Sequence, residues 1–122
     1  RPAPMDDLIY TLIRGQDWRV AEAAGAYGGS PDDAQDGFLH FSTATQLRAS
    51  AAKHRAGERD LWMLVVEAAA LGTALRWEPA SGGQRPGLFP HLYGSLPLTA
   101  VREAVAVPLG ADGAHVFPSS IP

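Results

Sequence analysis

At 122 residues the chain has the size of one domain and is long enough to bury a real core. Its 46% hydrophobic and 19% charged residues are those of a folded protein, not a disordered one. A net charge of −3 excludes the basic footprint of a DNA- or RNA-binding protein, and the lack of cysteine removes disulfides, thiolate nucleophiles and thiolate metal sites.

No apolar run approaches the ~18 residues that a membrane span requires. Arg1-Pro2-Ala3-Pro4 precedes Met5, so residues 1–4 read as a leader or as appended residues ahead of a natural start. They do not form a signal peptide, and a cytoplasmic location is the default expectation.

Residues 8–13, with Ile9, Tyr10 and Thr11, predict a strand broken by Gly15. Residues 16–24 predict a helix with Trp18, Ala21 and Glu22 on one face and Gly25 as its cap. Residues 27–36 are polar and turn-rich, and predict a loop able to cover a site.

The stretch from Asp36-Gly37 through Phe38-Leu39-His40-Phe41 to Ser42-Thr43 organises the rest. It reads as a turn, a short strand and a helix start, with Thr43 and Gln46 spaced as a capping box. Strand alternation sends Leu39 and Phe41 to a core, and Phe38, His40 and Ser42 to the opposite face. A helix over 43–55 follows, packed through Leu47 and Ala51. An imidazole and a hydroxyl beside a helix N-terminus suit an anionic or carbonyl ligand, and equally a helix cap beside a structural histidine.

Residues 61–66 are apolar on both faces and predict a central strand, followed by one helical turn over 68–72. A short strand over 75–78 precedes a glycine-rich loop over 81–87 that contains Arg85. Pro90 confines Leu88-Phe89-Pro90-His91-Leu92-Tyr93 to an edge or irregular strand. A helical turn over 97–101 and a last strand over 103–107 precede a tail, 110–122, expected to be irregular and to lie loosely on the surface.

This order predicts an α+β fold: one small domain over 5–109, a split or mixed, mostly antiparallel sheet, and two main helices. Leu39, Phe41, Trp62, Leu64, Val66 and Leu75 are the expected core. Neither a dinucleotide-binding Gly-x-Gly-x-x-Gly after the first strand nor a P-loop is present.

His40, His91, Glu78 and Tyr93 are the groups able to do proton or ligand work. Histidine titrates near neutral pH, so His40 and His91 are the candidate catalytic pair. Ser42, Thr43, Gln46, Glu78, Arg85 and Tyr93 are the candidate ligand-binding residues, Arg85 being able to pair a phosphate or carboxylate. His40, His91 and Glu78 could in principle form a two-histidine, one-carboxylate set, but no ligand spacing supports it and no metal is expected.

The blocks Asp36-Gly37-Phe38-Leu39-His40-Phe41-Ser42-Thr43 with Gln46, Arg76-Trp77-Glu78, and Leu88-Phe89-Pro90-His91-Leu92-Tyr93-Gly94 resemble those of an uncharacterised, mainly bacterial family, domain of unknown function 952. The likeness runs from about residue 8 to 109. The family usually carries an arginine early in its glycine-rich loop; here Ser81-Gly82-Gly83 has none and Arg85 comes later.

That family is similar to a diverged ADP-ribosyltransferase-like domain, a split sheet that grips NAD in a cleft. Catalytic members of that fold usually carry a histidine on the first strand, a tyrosine or histidine on the second and a glutamate on a late strand. The corresponding positions here hold Tyr10-Thr11, His40 and His91, so the late glutamate is absent. The resemblance implies a cleft for NAD, ADP-ribose or another phosphorylated nucleotide, serving a diverged transferase or hydrolase. The alternative is a regulatory or protein-interaction domain that keeps the fold without catalysis.

Overall fold

The computed structural model describes residues 7–80 and 85–121. The proposed leader, 1–4, and the first part of the glycine-rich loop, 81–84, lie outside the described residues. β1 (Leu8–Arg14) pairs antiparallel with β4 (Leu61–Glu67), which pairs antiparallel with β8 (Val101–Ala106). Alternating residues of β1 and β4 serve two hydrophobic clusters, one on each face of this sheet. Ile9, Ile13, Leu64 and Val66 join one; Tyr10, Leu12, Leu61, Met63 and Val65 join the other. A strand apolar on both faces is the signature of a sheet covered on both sides.

The first face is covered by α1 (Gly15–Ala24), the two-stranded pair of β2 (Ala26–Tyr27) and β7 (Leu96–Pro97), and a second sheet. That sheet has the order β3-β6-β5, made of β3 (Leu39–His40), β6 (Leu88–Leu92) and β5 (Leu75–Pro79). The opposite face is covered by α3 (Leu47–His54), which packs through Leu47 and Ala51 as expected. Among the described residues every strand pairing is antiparallel, and the architecture is a small α+β domain. Among the described residues no helix is long and apolar enough to cross a membrane.

The two larger sheets meet at one point. Beyond β3 the chain crosses to the outer edge of β1, where Tyr10 N donates to Ser42 O at 2.8 Å and Ser42 N to Tyr10 O at 2.7 Å. Thr11 Oγ1 adds a bond to the His40 carbonyl at 2.9 Å. The sheet is therefore split, and the cleft opens beside this junction.

Five expectations need correction. The loop over 27–36 contains a short helix, α2 (Pro31–Asp36), capped by Ser30 in a reciprocal box with Asp33 and started by proline. Ser30-Pro31-x-Asp33 is itself a helix-start signal, outweighed in the sequence by the glycines before it. The helix expected over 43–55 begins only at Leu47. Thr43 and Gln46 do bond reciprocally, Thr43 N to Gln46 Oε1 at 2.9 Å and Gln46 N to Thr43 Oγ1 at 3.3 Å, but they close a turn ahead of the helix.

The Pro90 strand is central, not an edge. The Pro90 carbonyl accepts from Phe41 N at 3.0 Å, so its bonding side faces β3 just where that pairing ends, and the missing N–H costs little. The tail is docked rather than loose: Ile121 is buried in the second cluster, its carbonyl accepts from Arg48 Nη2 at 2.9 Å, and Phe117 packs beside it. Trp62 and Leu75 are only half-buried; the Trp62 indole N–H reaches Asp60 Oδ1 near the surface, and Leu75 sits on an edge strand.

Candidate functional site

The short β3–β6 pairing sets His40 directly opposite His91, in register. Their rings lie 5.7 Å apart, centre to centre, although the residues are fifty-one positions apart in sequence. Phe38, on the same strand face as His40, stacks on His91 at 4.0 Å and touches His40 at 4.6 Å. This follows from strand alternation: one face of β3 goes to the core through Leu39, the other presents Phe38 and His40.

The His40 ring is held at both nitrogens. Nδ1 lies 2.5 Å from Asp33 Oδ1, and Nε2 lies 2.8 Å from Asp36 Oδ2. α2 carries both carboxylates, and Gly37, in the left-handed conformation at φ 87°, ends that helix and turns the chain into β3. Two carboxylate acceptors demand two N–H donors, so the ring is an imidazolium. Burial opposes that charge, but the hydrogen bonds and charges of Asp33 and Asp36 outweigh it and raise the His40 pKa. Burial likewise disfavours the Asp33 carboxylate, yet bonds from the His40 ring and the Ser30 and His40 backbone amides hold its pKa below the ordinary value.

His91 is treated differently. Only 3% exposed, it has Nδ1 2.9 Å from Glu78 Oε1, on neighbouring β5, and the Tyr93 hydroxyl donates to the same oxygen at 2.7 Å. The carboxylate fixes the tautomer with the proton on Nδ1, which leaves the Nε2 lone pair as an acceptor. Burial lowers the His91 pKa; the Glu78 bond pulls it up and the cationic His40 pushes it down again. The bonds from Tyr93 and His91 lower the Glu78 pKa, and Glu78 raises that of Tyr93. The Arg76 guanidinium lies over the Tyr93 ring at 4.5 Å.

A cavity of about 360 Å³ opens beside the sheet junction, with walls from β1, α2, β3, α3 and β6. His40, Ser42, Arg85 and His91 line it. Thr43, Gln46, Glu78 and Tyr93 are not among its lining residues. Gln46 joins α3 to β6 through a bond from Nε2 to the Leu88 carbonyl at 2.7 Å, and the Thr43 and Ser42 amides are already bonded within the protein. The helix start therefore offers no free N–H groups at Ser42 or Thr43 for a ligand. Both His40 ring nitrogens, one of which a metal set with His91 and Glu78 would need, are bonded to carboxylates.

Sequence reasoning missed Asp33, Asp36 and Ser50. Ser50 Oγ lies 2.8 Å from Ser42 Oγ and accepts from Arg85 Nη1 at 3.1 Å. The Ser30-Pro31-x-Asp33 helix start was the one available signal for Asp33; nothing local marks Ser50. His54 lines the cavity, and His115 bonds the Glu58 carbonyl at 2.8 Å.

Residues 12–104 match the family described as "Protein of unknown function (DUF952)". The crystal structure of protein CC0527 from Caulobacter crescentus superposes with a TM-score of 0.82 at 39% identity, covering 89% of this chain and 93% of that one. The solution structure of the same protein gives a TM-score of 0.79 at 39% identity, covering 89% and 91%. Among curated proteins nothing matches.

Proposed function

The chain belongs to the DUF952 family, and from that premise we propose that its cleft is an ADP-ribosyltransferase-like site for a phosphorylated nucleotide of the NAD or ADP-ribose kind. His91 serves there as general base in a transferase or hydrolase reaction. The observation that carries the reading is the Glu78–His91 pair: a buried imidazole, held by a carboxylate on Nδ1, on the wall of a cavity of about 360 Å³. A base must be neutral at working pH, and burial together with the cationic His40 keeps His91 so. Nε2 takes the proton of the attacking water or hydroxyl as its oxygen bonds to the ligand's electrophilic centre and the bond to the leaving group breaks. The leaving group departs with that electron pair, and the imidazolium, stabilised by Glu78, afterwards gives up its proton to it or to water.

His40 is not a second base in this scheme. Its two ring N–H groups are each bonded to a carboxylate, Nδ1 to Asp33 and Nε2 to Asp36, and it contributes fixed positive charge beside the reacting atoms. Tyr93 holds the Glu78 oxygen that orients His91, and so acts through it.

A thermal-shift screen with NAD, ADP-ribose and simple nucleotides tests this, since a ligand at a hundred times its dissociation constant adds ~2.7 kcal/mol of stability. The expected result is stabilisation by at least one nucleotide, turnover that falls as His91 is protonated, and loss of turnover in His91→Asn with binding retained. No response to any nucleotide would favour the non-enzymatic, regulatory alternative.

A further inference from the structure

Arg85 lines the cavity together with His40 and His91 and is held there from two directions. Its guanidinium carbon lies 4.4 Å from the centre of the Phe89 ring, and Nη1 donates to Ser50 Oγ at 3.1 Å. Stacking sets the plane of the fork, and the hydrogen bond sets its rotation within that plane. A guanidinium has five N–H donors. Ser50 Oγ is the one hydrogen-bond partner of Arg85 among the described residues, so its other donors are left for a ligand.

Four cationic residues, Arg14, Lys53, Arg55 and Arg85, line the cavity with four acidic ones, Asp32, Asp33, Asp36 and Glu58, of which Asp33 and Asp36 are bonded to His40. Arg14 and Arg55 share Glu58 as their carboxylate. Among the described residues neither Arg85 nor Lys53 has an ion-pair partner. Lys53 and His54, in the last turn of α3, line the cavity with Arg85. The negative end of the α3 dipole accounts for Lys53 and His54 standing in that turn. It does not account for an arginine brought from another element and pinned against the same helix.

We infer that Arg85, Lys53 and Ser50 form a subsite for a phosphoryl group, the phosphate or diphosphate end of a ligand whose organic part lies against His91. A planar carboxylate would be satisfied by the arginine fork alone. Donors converging from α3 and from Arg85 suit a tetrahedral group with three acceptor oxygens. The inference deepens the reading above, and rests on it only for the organic half of the ligand.

The test is titration of pyrophosphate into the full chain, followed by calorimetry and phosphorus NMR, with acetate as the planar comparator. Saturable pyrophosphate binding is expected, with acetate much weaker. Arg85→Ala and Arg85→Lys should each weaken it by about tenfold or more, a loss of ~1.4 kcal/mol, because neither retains the fork. Ser50→Ala should weaken it less, and His91→Asn should leave it intact. Circular dichroism of each variant checks that the fold survives. No saturable binding at millimolar pyrophosphate, equal affinity for acetate, unchanged affinity in a folded Arg85→Ala variant, or loss of binding in His91→Asn would each overturn the assignment. Intact pyrophosphate binding in a protein that ignores every nucleotide would leave this subsite standing while the nucleotide reading falls.

Discussion

His40 and His91 occupy facing positions on paired strands, share Phe38 as a neighbour, and differ in charge state. His40 meets carboxylates at both ring nitrogens and is an imidazolium. His91 meets a carboxylate at one nitrogen, is almost fully buried, and stays neutral. The contrast teaches that register brings two side chains together, while the elements behind them decide their chemistry. α2 stands behind His40 and supplies two acids; β5 stands behind His91 and supplies one.

The hardest way to break this comparison is to remove Asp33. It is 8% exposed, caps its own helix by accepting from Ser30 N at 2.7 Å, and accepts from both the ring and the amide of His40. Asp33→Ala removes a helix cap and the charged partner of a half-exposed imidazole, so it should cost about 2–4 kcal/mol in urea unfolding. A loss under about 1 kcal/mol would mean that α2 is not anchored by this pair.

Phe38→Ala should cost less, about 0.5–1.5 kcal/mol beyond the area it buries, because the ring stacks on one histidine and touches the other. Proton NMR should then show the two imidazoles shifting together. A shift in only one would deny Phe38 its shared role.

The pH dependence of stability sharpens the contrast without changing the fold. The His40 pKa is raised above its ordinary 6.5, so its contribution is full below that value and is lost as pH rises through the folded pKa. The His91 pKa is lowered from the same 6.5, so its contribution is present above that value and is lost as pH falls through the folded pKa. Melting temperatures measured from mildly acid to mildly alkaline pH should therefore fall on both sides of neutrality. His40→Asn should flatten the alkaline side and His91→Asn the acid side; flattening of the wrong limb in either variant contradicts the assigned charge states.

Glu78→Gln should have the smallest effect on stability, since Glu78 is only half-buried. It removes the main group that raises the His91 pKa, so the NMR-measured value should fall further. An upward move would show that Glu78 is not the group orienting His91.

Much of this was legible locally. Alternation along Phe38-Leu39-His40-Phe41 assigned the faces of β3 correctly, and the two-sided apolar run over 61–66 identified the central strand, because burial on both faces leaves no polar positions. Thr43 and Gln46 were recognised as reciprocal partners from spacing alone. Pro90 misled, since a missing N–H matters only on the bonded side of a strand, and which side is bonded depends on the neighbour. The tail misled for a related reason: Gly, Pro and Ser describe a backbone without regular structure, and say nothing of whether Ile121 finds a hydrophobic face.

The amino-acid sequence by itself determined most of the strands, their inward faces and the candidate histidines, because these follow from periodicity and residue chemistry within a few positions. Only the tertiary structure decided which groups surround those histidines. Asp33 and Asp36 reach His40 because α2 precedes β3 and packs on it, Glu78 reaches His91 because β5 pairs with β6, and Ser50 meets Arg85 where Gln46 ties the start of α3 to Leu88. Charge state and hydrogen-bond partners depend on distances of about 3 Å between groups far apart in the chain. Local sequence cannot carry those distances.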